Sequence, residues 1–266
     1  MNPNDFSPMM SLMSEVGQQI MEWQTNKELR HIYSEAEFKT EADWRAHEKI
    51  CQGINRLYPG AIVFSEESIT PSLKRPDAYW LIDPIDGTAS WFHGFTGFVT
   101  QAAYIVDSKP IFGIIHAPLL FKTWMAINGL GAYLNGVRLP HLQASNRLII
   151  TDNTPVPHGI AKYFCQHLEA TGYYESGSLG LKAVLVADGS ADLFVKNVVV
   201  RDWDFAPASV IIQEVGGQFG LANGNPYEFT GDMEKHGGVV VARDPVIFCR
   251  AIELFPHYAR FLSTNL

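Results

Sequence analysis

Along the first third of the chain, apolar residues return every three or four positions. Met9, Leu12, Met13, Val16, Ile20 and Trp23 do so with polar residues between them, a spacing that predicts a helix over residues 8–31. Trp44, Ala46, Ile50, Ile54 and Leu57 predict a second helix from Asp43 to Leu57, with Asp43 as its N-cap and Tyr58-Pro59-Gly60 as its stop. Short apolar runs then take over. Ala61–Phe64, Tyr79–Ile82, Phe98–Val106, Ile111–His116, Thr123–Ile127 and Ala132–Leu134 predict strands, with the turn Asp107-Ser108-Lys109-Pro110 joining the longest pair and Gly129, Gly131 and Gly136 as breaks. Beyond residue 145 the pattern is mixed. Helices are predicted near Ala161–Ala170, Leu181–Asp188 and Phe205–Val215, and a strand at Asp192–Val195. The chain thus divides into halves, 1–145 built on antiparallel strands and 146–266 of mixed α/β type, and the interleaving of helices and sheets predicts a layered α/β sandwich.

Composition sharpens this picture. In 266 residues, 47% are apolar and 18% charged, enough to bury a sizeable core and unlike a disordered chain. The net charge is −8 with no block of Lys or Arg, which argues against a nucleic-acid polymer or an anionic membrane as partner and means that an anionic ligand would need local positive charge. Cys51, Cys165 and Cys249 are too few and too scattered for a disulfide framework or a zinc site. With no basic leader at the start and no apolar run long enough for a bilayer, the chain is expected to be a soluble, cytoplasmic protein with reduced thiols.

Candidate chemistry concentrates in acidic turns at the ends of apolar elements. In Trp80-Leu81-Ile82-Asp83-Pro84-Ile85-Asp86-Gly87-Thr88, an apolar strand runs into a turn with two carboxylates three residues apart; Pro84 and Gly87 shape the backbone so that both can face one point. Converging carboxylates repel unless a cation neutralises them, and all-oxygen ligands suit Mg²⁺. The plain alternative is a surface turn, since Asp-Pro and Asp-Gly are common turn dipeptides. Ser65-Glu66-Glu67-Ser68 likewise ends a strand, and is by itself a solvated loop. Arg201-Asp202-Trp203-Asp204 precedes a helix, where either Asp could be an N-cap. Together, three such turns are what a two-metal site needs.

With these segments in hand, the chain resembles the inositol monophosphatase superfamily of Mg²⁺-dependent, lithium-sensitive phosphatases. The resemblance runs from about Thr40 to Gly238 and is carried by residues 65–68, 80–88, Gly-Leu-Gly-Ala-Tyr-Leu-Asn-Gly at 129–136, and Trp-Asp-Phe-Ala-Pro-Ala at 203–208 followed by Glu214-Val215-Gly216-Gly217. It implies an α/β/α/β/α sandwich with the site in the cleft between the halves. It also implies two or three Mg²⁺ ions, with Glu66, Asp83 and the Ile85 carbonyl on the first, Asp86 and Asp204 on the second, and Asp83 bridging. Thr88, paired with Asp43, would orient the attacking water beside Glu66, and the Gly87 and Thr88 amides would cradle the phosphate. Ser178, Lys182 and Asn197 would complete the substrate contacts, and a homodimer is implied.

Departures bear on the substrate. Asn197 stands where the inositol phosphatases place a Glu seven residues before the last metal Asp, and Pro207 and Ser209 replace the glycines after Trp-Asp, Pro207 being expected in the first turn of its helix. Lys39 is displaced from the family's basic position. The 3′(2′),5′-bisphosphate nucleotidase branch is similar in Ala42-Asp43, Ala46-His47 and residues 180–189, where Lys182 could meet a second phosphate or simply be a solvated helix lysine. Trp91-Phe92-His93-Gly94-Phe95 resembles the inositol phosphatase pattern more closely. A small phosphate ester is the expected substrate on either branch. A non-catalytic binding protein on the same fold is the reading from a different class, which the full set Glu66, Asp83, Asp86, Thr88 and Asp204 disfavours.

Overall fold

The computed structural model describes residues 6–34, 38–68 and 75–264. Helix α1 (Ser7–Trp23) is followed by a small hairpin of β1 (Ile32–Ser34) and β2 (Lys39–Thr40), then by helix α2 (Glu41–Leu57). A seven-stranded sheet comes next, made of β3 (Val63–Ser65), β4 (Ala78–Asp86), β5 (Val99–Val106), β6 (Lys109–Ala117), β7 (Lys122–Ile127), β8 (Gly131–Leu134) and β9 (Val137–Arg138) in sequential order. All its pairings are antiparallel except β3 with β4. A short helix α3 (Thr88–His93) leaves the end of β4.

The second half holds a five-stranded sheet in the order β11-β10-β12-β16-β14, from β10 (Ile149–Asp152), β11 (Gly172–Glu175), β12 (Leu193–Lys196), β14 (Gln218–Leu221) and β16 (Val239–Ala242). A two-stranded ladder pairs β13 (Val200–Arg201) with β15 (Glu234–Lys235). The helices are α4 (Gly159–His167), α5 (Leu179–Ala187), α6 (Asp202–Glu214) and α7 (Pro245–Thr264).

Three cores stack these elements into five layers. Helices α1 and α2 bury Met9, Met13, Ile20, Ala46 and Ile50 on one face of the large sheet, against Trp80, Ile82, Phe112 and Ile114. The other face, with Tyr79, Leu81, Ala103 and Trp124, packs on α5 and α6, which also cover Phe194, Val239 and Val241 of the small sheet. The far side of that sheet is closed by α4 and α7 over Ile150, Leu193 and Val240. The order is therefore α/β/α/β/α. Strand β4 reads as one apolar run because both its faces are buried, and α5 lacks a polar face because it lies between two sheets. Closeness in the middle layer is extreme at Gly113, where a Cβ would come within 2.1 Å of the Pro207 carbonyl oxygen.

Several boundaries differ from the sequence reading. Helix α1 stops at Trp23, its last periodic apolar residue, and residues 24–31 are turns in which Asn26 Oδ1 accepts the Glu28 N–H at 2.9 Å, a local bond that competes with helix. Helix α4 ends at His167 rather than Ala170, and α6 begins at Asp202 rather than Phe205. Pro207 accordingly sits in the second turn of α6, not its first. No prediction covers strands β1, β2, β9, β10, β11, β13, β14, β15 and β16 or helices α3 and α7.

Candidate active site

Asp43 is not the N-cap of α2. Thr40 is, and Asp43 at the third helical position closes a capping box, its Oδ2 accepting the Thr40 N–H at 2.8 Å and the Thr40 hydroxyl at 2.5 Å. The other oxygen, Oδ1, accepts the Thr88 hydroxyl at 2.8 Å, and Thr88 Oγ1 also lies 3.1 Å from the Ile85 carbonyl oxygen. Burial pushes the Asp43 carboxyl up to about 6, against the pull of the Thr40 and Thr88 hydrogen bonds.

The acidic turn grows out of the sheet. The β4–β5 register slips between Asp83 and Asp86, a bulge that turns the strand's last carboxylates away from strict alternation. Gly87 follows at φ +90°, a left-handed conformation that starts α3. Parallel pairing of β3 with β4 places Glu66 alongside, its N–H on the Ile82 carbonyl at 3.2 Å. Helix α6 brings Asp204 from the other half. Its Oδ2 accepts the Arg201 N–H at 2.7 Å, so that Arg201 occupies the cap position and neither Asp202 nor Asp204 does. Asp202 has another partner: fully buried, it meets Arg75 Nη2 at 2.6 Å.

These carboxylates disturb one another. Asp83 and Asp204 are held well above the usual carboxylate range, first by burial and then by their acidic neighbours, among which each counts Glu66 and Asp86. Burial likewise pushes Glu66 up to about 7, with Lys39 opposing. Asp86 stays raised by burial although Ser178 Oγ (2.7 Å), Gly180 N (2.7 Å), Leu179 N (3.2 Å) and Gln101 Nε2 (3.3 Å) all donate to it. Among the described residues no three His, Cys, Asp or Glu side chains form a preformed metal cage; each acid is drawn toward its own partner. Asp83 differs: its Oδ1 is buried without a hydrogen bond. An orphaned carboxylate oxygen flanked by other acids fits a hard divalent cation, which takes carboxylate and carbonyl oxygens as ligands.

A family model for the inositol monophosphatase family matches residues 7–258, nearly the whole chain. The chain belongs to the inositol monophosphatase family. It is a phosphoric monoester hydrolase of a metal-dependent family. Among curated relatives, a 3′(2′),5′-bisphosphate nucleotidase CysQ of Aggregatibacter actinomycetemcomitans is 32% identical over 67% of this chain and 70% of that protein. A fructose-1,6-bisphosphatase/inositol-1-monophosphatase of Thermotoga maritima is 30% identical over 80% and 82%, and inositol monophosphatase 1 of Bos taurus 30% over 73% and 75%. The solved structure of a Thermotoga maritima IMPase superposes with a TM-score of 0.81 at 26% identity, covering 98% of this chain and 99% of that one. The five-layered fold is that of the family.

The remaining expected contacts fall in different surroundings. Ser178 caps α5, accepting the Leu181 N–H at 2.8 Å while donating to Asp86. Lys182 is not a solvated helix lysine. It is buried, its Nζ donates to the Gly177 carbonyl at 2.6 Å and lies 5.3 Å from the Phe194 ring centre, and burial, reinforced by Lys196, pushes its ammonium down to about 8. Asn197 is exposed just beyond β12. Lys39, displaced in sequence, still places Nζ 3.0 Å from the Glu66 carbonyl oxygen and 3.6 Å from Glu67 Oε1. All three cysteines are free, and no described helix is long and apolar enough to cross a membrane.

Sequence reasoning passed over Gln101 and Tyr33. Tyr33 donates to Glu67 from the β1–β2 hairpin, a contact with no local signature. Gln101 had one, a lone amide inside the apolar strand Phe98–Val106, since a polar side chain in a buried strand needs partners.

Proposed function

We propose that this chain is a Mg²⁺-dependent phosphomonoesterase acting on a small phosphorylated metabolite of the inositol monophosphate kind, by direct attack of water and without a phosphoenzyme. Glu66, Asp83 and the Ile85 carbonyl would hold one Mg²⁺, and Asp86 and Asp204 a second, with Asp83 shared. When bound, Mg²⁺ neutralises the phosphoryl oxygens and acidifies water. The observation that carries this reading is the buried, unpartnered Oδ1 of Asp83 among raised carboxylates.

The chain's own groups do the rest. Thr88 gives its only hydroxyl hydrogen to Asp43, so its oxygen lone pairs are left to accept from, and aim, the attacking water. Asp43, with a carboxyl near 6, is suited to share that proton at neutral pH. Glu66 stands just past the end of β3. The Gly87 and Thr88 N–H groups, at the start of α3, are assigned to the phosphate, and Ser178 and Asn197 to the alcohol side. Cytoplasmic location, a homodimer, lithium sensitivity and halves meeting near residue 145 belong to the same reading.

A second reading, a 3′(2′),5′-bisphosphate nucleotidase, is favoured by the CysQ relative. Engagement of Lys182 by the Gly177 carbonyl supports the single-phosphate substrate instead. The test is phosphate release from myo-inositol 1-phosphate and adenosine 3′,5′-bisphosphate, side by side, with Mg²⁺ or EDTA and with Asp83→Asn as control. Faster Mg²⁺-dependent release from the inositol ester is expected. Faster release from the nucleotide moves the chain to the second reading, and release that survives both EDTA and Asp83→Asn overturns the metal assignment.

A further inference from the structure

Gln101 is fully buried on β5, directly opposite Asp83 in the β4–β5 register. Its Nε2 donates in two directions, to Asp86 Oδ2 at 3.3 Å and to the Trp203 carbonyl at 3.1 Å. The Trp203 carbonyl can only accept, so the orientation of the amide is determined: turned over, its own oxygen would face that acceptor. The other end of the amide, Oε1, is buried and unpartnered. It lies where a Cβ on residue 180 would come within 2.2 Å, so this placement requires the glycine whose N–H also holds Asp86.

The Trp203 carbonyl is open to Gln101 because of Pro207. Four residues further along α6, Pro207 has no N–H with which to close the helix ladder on that carbonyl. Nor can α6 shift to find another donor, since its backbone at Pro207 rests on Gly113 of β6. The residue after Trp203 is Asp204. Ser178, Leu179 and Gly180 tie Asp86 to α5; Gln101 ties it to the turn of α6 that carries Asp204.

We infer that Gln101 is a positioning residue that sets the separation of Asp86 and Asp204, the two carboxylates assigned to the second cation. The inference rests on the proposed function. It predicts that loss of the amide weakens the second Mg²⁺ site beyond any effect on folding, as partners behind metal ligands characteristically do.

The test compares wild type, Gln101→Met, Pro207→Ala and the double variant, by Mg²⁺ titration calorimetry without substrate, Tm in EDTA, and the Mg²⁺ dependence of phosphate release. Methionine keeps the length and removes the donor; alanine at 207 returns an N–H to the Trp203 carbonyl. Gln101→Met is expected to weaken the weaker Mg²⁺ event by about 10–100-fold, to shift the Mg²⁺ dependence of turnover equally, and to leave KM at saturating Mg²⁺ in place. In the double variant Tm should recover and Mg²⁺ affinity should not. Recovery of both, or an unshifted Mg²⁺ event in Gln101→Met, overturns the inference by showing that Gln101 only patches α6. If Gln101→Met alone does not fold, the double variant against Pro207→Ala gives the same decision. Wild type that binds no Mg²⁺ overturns the reading of the site and this inference with it.

Discussion

Thr88 Oγ1 and Asp43 Oδ1 meet at 2.8 Å although 45 positions separate them in the chain. The bond joins the first turn of α2 to the turn after β4, across the edge of the large sheet. With its hydrogen engaged, the hydroxyl oxygen keeps its acceptor capacity. Thr88→Ala is therefore expected to lower kcat by about 10²–10⁴-fold, the range for losing a group that positions or moves a proton, with a small change in Tm. Phosphate-release kinetics alongside thermal melts decide it, and unchanged kcat removes Thr88 from the mechanism.

The acidic cluster makes a prediction about pH with a definite sign. Glu66 has its carboxyl raised from 4.5 to about 7, and Asp83, Asp86 and Asp204 are also raised. An acid whose pKa is higher in the folded chain binds its proton more tightly when folded, so stability is gained at low pH and lost as pH climbs from the unfolded value through the folded one. In EDTA, Tm should fall as pH rises from about 5 to about 8, and Mg²⁺ should abolish the fall. A Tm in EDTA that rises over that interval contradicts the assignment.

Asp83→Asn should lose turnover and Mg²⁺ stabilisation yet melt higher than wild type in EDTA, because it removes a buried charge from among its like. Relief of about 1 kcal/mol corresponds to roughly 2–4 °C in a chain of this size. A lower Tm in EDTA would mean that Asp83 contributes to folding by a bond the cation does not supply.

Glu214 offers a control remote from chemistry. Its carboxylate accepts the Gly129 N–H at 2.6 Å and the Gly131 N–H at 2.7 Å, pinning the β7–β8 turn to the end of α6. Glu214→Ala should destabilise by about 1–3 kcal/mol with kcat unchanged, read by urea unfolding and phosphate release. A fall in kcat at full folding would give this turn a part in the reaction.

Much of this was legible in the order of residues. The 3.6-residue spacing from Met9 to Trp23 marked α1, although the predicted helix ran on to residue 31, and the doubly buried β4 announced itself as an unbroken apolar run ending in Asp83. Motifs around residues 65–68, 80–88 and 203–208 located the acids, and their resemblance supplied an order for them. Hidden from sequence were the relations that only packing creates. Pro207 looked like a first-turn proline because Asp202 and Trp203, which extend α6 backwards, carry no local helix signal strong enough to move its start. Lys182 looked solvated because nothing nearby told that its helix would be enclosed on two sides. Gln101 gains meaning only when Asp86 and the Trp203 carbonyl arrive from segments 15 and 102 residues away.

The enclosed middle layer has a consequence for how the protein is made. All seven strands of the large sheet precede residue 139 in the chain, whereas α5 and α6, which cover its inner face, begin at Leu179 and Asp202. A ribosome must therefore add at least forty further residues while Tyr79, Leu81 and Trp124 lie bare. At about 5–20 residues per second that exposure lasts seconds, long enough for a holding chaperone to bind and for crowded nascent chains to stick to one another.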